Sequence, residues 1–222
     1  MSGHSVTIKF QENEDTAEVT LESSETLFQK SFSVPNSRIV SLFNKDWCTG
    51  YFSVSQDGPI YVESRNGLTM VVAQRSPRQD QTISWGRGSE SRSITVNTPW
   101  CIGIFILAVN SNDSTYLRDS YMYTTTGPSL GSYTQLKSAY WMGNVYQDNR
   151  ICWGTTSVGG HDSLASVASV TNFMSDFFNE NFNSDLHNGT QQWTDYTETG
   201  NITGTSIGSL SATIQRIWRG LT

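Results

Sequence analysis

The chain has 222 residues, a net charge of −6, 36% hydrophobic and 12% aromatic content, and only 15% charged residues. That length suits one large domain or one domain with a modest appendage, and sparse charge with abundant Ser, Thr, Asn and Gly favours a β-rich protein over a helical bundle. The acidic balance argues against a nucleic-acid partner, because the densest basic stretch, Arg75 to Arg92, is diluted by Asp80 and Glu90.

The opening "MSGHSVTIKFQENED" has no apolar segment of the kind a secretory signal needs, and the longest apolar run, Ile102 to Val109, is too short to span a bilayer. Cys48, Cys101 and Cys152 are odd in number and lack metal-ligand spacing. A reducing cytoplasmic setting is therefore expected, with no membrane partner, no disulfide framework, no cofactor and no bound metal.

In chain order, residues 1–75 read as a β-rich N-terminal unit. "SVTIKF" and "AEVTLES" alternate apolar and polar residues, and "PIYVESRNGLTMVVAQ" predicts a hairpin turning at Asn66-Gly67. Residues 76–96 read as a polar connection with one strand. Residues 97–189 form the expected α+β core. Ile102–Val109 is a buried strand, Tyr116–Thr125 a Tyr-rich strand, and 163–178 a helix whose stripe is Leu164, Val167, Thr171, Met174 and Phe178. Residues 190–222 read as an exposed linker and an amphipathic helix over 207–219, with apolar Ile207, Leu210, Ile214, Ile217 and Trp218. That face must dock, on its own chain or on a partner.

The stretch "GNVYQDNRICWG", Gly143 to Gly154, carries the chemistry. Cys152 in such a setting is a buried apolar residue, a metal ligand or a nucleophile. A nucleophile must be an accessible thiol, and acyl transfer also needs a donor for the oxyanion, which an Asn amide can supply. A turn of Gln147, Asp148 and Asn149 folds Cys152 back toward Asn144. Cys101 and Cys48 each follow a Trp and read as small buried hydrophobes.

The segment "MGNVYQDNRIC" resembles the active-site segment of ubiquitin-conjugating enzymes, in which His-Pro-Asn leads through a turn to Gly-X-Ile-Cys. Asn144, Val145 and Ile151-Cys152 match, while Met142 and Gly143 stand at the positions of the His and Pro. A closer resemblance is to prokaryotic ubiquitin-conjugating-like family D, the PRTRC system protein B group. It is carried by "NTPWCIGIFILAV", "GNVYQDNRICWG" and "FFNENFNSDLHNG" over roughly residues 97–189. The resemblance implies an antiparallel β-meander with a packed helix, a ubiquitin-like modifier held as a thioester on Cys152, and Asn144 as oxyanion donor. It further implies a downstream histidine, His161 or His187, as acid–base aid. The partners would be a ubiquitin-like protein and its activating enzyme. The alternative is a catalytically inactive binding or assembly module of a phage or mobile element, including a virion-associated structural protein, whose partner is another protein.

Overall fold

Asn66 and Gly67 take φ of 51° and 75°, so the chain reverses in a two-residue turn closed by the pair Arg65 and Leu68. Positive φ at both central positions matches the right-handed twist of the strands it joins, which is why Asn-Gly is favoured there. The turn connects β5 (Gly58–Arg65) to β6 (Leu68–Arg75), with Val62 opposite Val71 and Tyr61 opposite Val72. The computed structural model describes residues 4–10, 16–23, 28–35, 50–51, 57–86, 88–109, 115–129, 131–154, 169–183, 185–186, 191–202 and 204–221.

The hairpin belongs to a seven-stranded sheet of order β13-β11-β10-β9-β6-β5-β4. Its other members are β4 (Gly50–Tyr51), β9 (Trp100–Val109), β10 (Thr115–Thr125), β11 (Gln135–Ser138) and β13 (Ser206–Ser209). Strands from before residue 76, from 97–189 and from after 190 are thus neighbours in one sheet. A second sheet joins β1 (His4–Phe10), β2 (Thr16–Ser23) and β3 (Phe28–Pro35), all antiparallel. A third joins β7 (Arg78–Trp85) and β8 (Arg92–Thr98) to β12 (Asn181–Phe182), which runs parallel to β7. The fold is mixed α+β with mostly antiparallel sheets.

Both faces of the seven-stranded sheet are covered, which explains the continuous apolar run of β9. On one face Val71, Ala73, Phe105 and Leu107 pack with Phe173, Met174, Phe177 and Phe178 of helix α1 (Ser169–Asn179). On the other, Met70, Val72, Ile102, Ile104 and Ile106 pack with helix α3 (Leu210–Leu221). Leu210, Ile214, Ile217 and Trp218 of α3 are all buried, and each contributes roughly 1.5–3 kcal/mol of apolar burial as an upper estimate. A buried carboxylate fixes the angle of α3. Glu63 is 3% exposed and accepts hydrogen bonds from Trp218 Nε1 (2.6 Å), the Tyr61 hydroxyl (2.6 Å) and Arg65 Nε (2.7 Å).

Several expectations change. The predicted helix over 207–219 begins at Leu210, and Ile207 lies in β13 paired with β11. Ser209 Oγ accepts the backbone N–H of Ala212 at 3.2 Å, an N-cap that sets the start of the helix. The expected linker holds helix α2 (Gln191–Thr199), anchored by fully buried Trp193. The polar connection at 76–96 contributes two strands, β7 and β8, rather than one. Ile83, Trp85 and Val96 point inward between polar neighbours, so the period-two pattern was present but diluted. The predicted helix over 163–178 is described as α1 from Ser169. Its expected stripe members Leu164 and Val167 lie outside the described residues. Among the described residues, no helix is long and apolar enough to cross a membrane.

Candidate functional site

The site is a second hairpin, set against β10. After a 3-10 turn at Tyr140–Met142, Gly143 adopts φ 104°. A Cβ there would meet the Asn183 carbonyl oxygen at 3.1 Å. Proline, with φ locked near −65°, is incompatible with this backbone, so the absence of a proline at 143 is a requirement of the local path. Met142, at the position of the family's histidine, is fully buried, and its carbonyl accepts Trp193 Nε1 at 2.9 Å.

Val145 then pairs with Ile151. Tyr146 N–H donates to the Arg150 carbonyl at 2.8 Å, and Asn149 N–H donates to the Tyr146 carbonyl at 2.8 Å. Asn149 sits at φ 69°. This is a three-residue loop, Gln147 to Asn149, built as a turn followed by a left-handed residue. Asn tolerates that conformation better than other residues with a Cβ. The loop is also held from within. Asn149 is 3% exposed, and its Oδ1 accepts the Ser138 hydroxyl at 2.8 Å and the Ala139 N–H at 3.0 Å. Two backbone bonds dock the hairpin on β10: Ile151 N–H to the Ser120 carbonyl and Met122 N–H to the Asn149 carbonyl, each 2.9 Å.

This geometry brings the two residues of the sequence motif together. Cys152 N–H donates to the Asn144 carbonyl at 2.8 Å. Their side chains differ in setting. Cys152 is a free, half-buried thiol. Asn144 is buried at 7% exposure, and its Nδ2 donates to the Asn181 carbonyl of β12 at 3.2 Å. His161 and His187 lie outside the described residues, as does Cys48. His4 lies in β1, where it pairs with Ser23. Cys101 is fully buried and its Sγ donates to the Pro99 carbonyl at 3.4 Å. Burial pushes its thiol up to about 12, so it stays protonated and inert near neutral pH.

Sequence reasoning did not single out Tyr146, whose phenol lies close enough to the Cys152 thiol to be perturbed by it. Hydrogen bonding with the Cys152 side chain first, and its electrostatic interaction second, hold the Tyr146 phenol above its usual range. The signal that could have found it is positional. Tyr146 lies two residues from Asn144 on the same side of the hairpin and diagonal to Cys152, within reach of a long aromatic side chain. Arg150 lies over the Tyr146 ring, 5.9 Å from its centroid, and is tied to Asp148 at 2.7 Å. Beside them opens a cleft of about 390 Å³ between Leu117, Arg118 and Ser120 of β10 and Tyr146, Arg150 and Trp153. Trp153 Nε1 donates to Ser120 Oγ at 2.9 Å, and its ring meets Phe177 of α1 edge-on. Among the described residues no group of three or more His, Cys, Asp or Glu is gathered as a metal site requires. Comparison with known proteins found no matching family model, no matching curated protein and no matching solved structure.

Proposed function

We propose that the chain is a divergent ubiquitin-conjugating-like protein that carries a ubiquitin-like modifier as a thioester on Cys152. The observation that carries this reading is the contrast between its described cysteines: Cys101 is sealed in the core, whereas Cys152 is only half-buried, between Ile151 and Trp153, which line an open cleft. The succession β9, β10, β11, hairpin, Cys152 and α1 also suits the antiparallel meander and packed helix that the resemblance implies. In the transfer, the Cys152 sulfur attacks the modifier's thioester carbonyl. A new S–C bond forms, the activating enzyme's S–C bond breaks, and the departing thiolate takes up the proton that Cys152 gives up.

A second reading, an inactive binding or assembly module, is favoured by the buried Asn144 amide, whose observed hydrogen bond goes to the Asn181 carbonyl rather than toward the sulfur. The two are separated by intact mass after incubation with a ubiquitin-like protein, its activating enzyme and ATP. The thioester reading expects a reductant-sensitive adduct that Cys152→Ala abolishes. A Cys152 that alkylates readily yet forms no adduct supports the module.

A further inference from the structure

We infer that the pocket between the β5–β6 hairpin and α3 is an oxyanion site that takes the phosphate group of a small phosphate monoester. The inference is independent of Cys152 and of the thioester reading.

The pocket has a volume of about 290 Å³, and the described residues that line it are Arg65 of β5 and Gln215, Trp218 and Arg219 of α3. None of these is acidic, on a chain whose net charge is −6. Glu63 is buried behind Arg65 and Trp218, and both its oxygens are taken: Oε1 by Arg65, Oε2 by Trp218 Nε1 and the Tyr61 hydroxyl. Arg65 and Arg219 against Glu63 leave one positive charge in excess. The C-terminal end of α3 opposes an anion, and Arg219 in its last turn offsets that dipole.

Glu63 also fixes the group that would recognise the anion. It holds Arg65 through Nε at 2.7 Å and through Nη2, and the guanidinium carbon lies 5.2 Å from the centroid of the Trp218 ring. The Arg65 side chain is still 48% exposed, and its Nη1–Nη2 edge has no protein acceptor among the described residues. That planar edge suits two oxygens of one anion. It is clamped before any ligand arrives, so little side-chain freedom is lost on binding. Gln215 and Arg219 stand one turn apart on the exposed side of α3 and bring donors from a second element. Donors from two elements suit a tetrahedral phosphate, whose oxygens point several ways, better than a planar carboxylate. The volume leaves space beside the phosphate for a small organic group. A ligand bonded to both Arg65 and α3 ties the hairpin to the helix that covers the sheet, so binding also raises stability.

The test uses the full chain, with glycerol 3-phosphate, inorganic phosphate and acetate added separately at constant ionic strength and followed by NMR. Glycerol 3-phosphate should shift the Trp218 indole N–H and the Gln215 side-chain amide saturably, with Kd of about 10 mM or tighter. Inorganic phosphate should bind more weakly and acetate more weakly still. Gln215→Glu, at an exposed position outside the Glu63 clamp, places a carboxylate in the pocket and should weaken binding roughly tenfold or more while leaving the ligand-free Tm unchanged. Arg65→Lys keeps the charge, loses the planar edge and should also weaken binding. Shifts that do not saturate, acetate binding as tight as the ester, or a Gln215→Glu protein that binds like the parent overturns the inference. Inorganic phosphate binding as tightly as the ester overturns the assignment to a monoester.

Discussion

Replacing Asn149 with alanine tests whether the hairpin is held by its internal acceptor or only by its turn. Two costs are expected. The buried Ala139 N–H and the Ser138 hydroxyl lose their shared acceptor at 3.0 and 2.8 Å, and an orphaned buried donor costs about 1–3 kcal/mol. Alanine must also occupy φ 69°, which costs a residue with a Cβ and no local side-chain bond about 1 kcal/mol. The sum is about 2–4 kcal/mol, which in a chain of this size lowers Tm by roughly 5–15 °C. Asn149→Gly removes the second cost and keeps the first, whereas Asn149→Asp keeps the acceptor. Urea titration should rank stability as parent, Asp, Gly, Ala, with the midpoint moving and the slope constant. An Asn149→Gly protein as stable as the parent would refute the reasoning, since it would show the acceptor to be idle.

Glu63→Ala should cost about 1–3 kcal/mol, because it strands Trp218 Nε1 in a buried setting, with Glu63→Gln costing less. Urea midpoints decide this, and an effect within experimental error would mean that α3 is held by apolar contact alone. Burial raises Cys101 from 9.0 and Tyr123 from 10.0 to about 12 each. In both, the folded state holds its proton more tightly than the unfolded one. Their contribution to stability is therefore full below pH 9 and is lost between pH 9 and about 12. Urea midpoints should fall across that window, more shallowly in Cys101→Ala, and a flat profile there would contradict the assignment. In the native protein near neutral pH, Cys152 should be labelled by a thiol reagent and Cys101 should not.

What was legible in the sequence followed from strict local signals. Asn66-Gly67 needs its two left-handed residues wherever it occurs between β-branched runs, so register and partner strands follow from it. The unbroken apolar run of β9 could only be a strand covered on both sides. The turn of Gln147, Asp148 and Asn149 returned Cys152 to Asn144 for the same local reason. The misreadings came where tertiary contact overrode composition. Residues 191–199 look like polar linker except for Trp193 and Tyr196, and a helix forms there because Trp193 reaches the Met142 carbonyl and packs on Trp141 and Phe182. Ile207 fits the helical stripe of α3, but the Ser209 cap and pairing with β11 claim it for a strand. In the site, adjacency of Asn144 and Cys152 was legible, but the direction of the Asn144 amide was not. That depends on Asn181, which a separate stretch of chain brings to the hairpin through β12.

The link between Glu63 and Trp218 joins residues 155 apart, and it has a consequence for the nascent chain. The apolar face made by Met70, Val72, Ile102, Ile104, Ile106, Tyr123 and Leu136 is fully translated by residue 138, but its cover, α3, begins only at Leu210. At about 5–20 residues per second the ribosome takes roughly 4–14 s to make the intervening stretch. Throughout that interval the growing polypeptide displays a greasy sheet surface, the form of substrate that chaperones engage and that pairs with neighbouring nascent chains on a polysome. Synonymous codon changes that slow translation between residues 138 and 210 would lengthen this exposure without altering any amino acid.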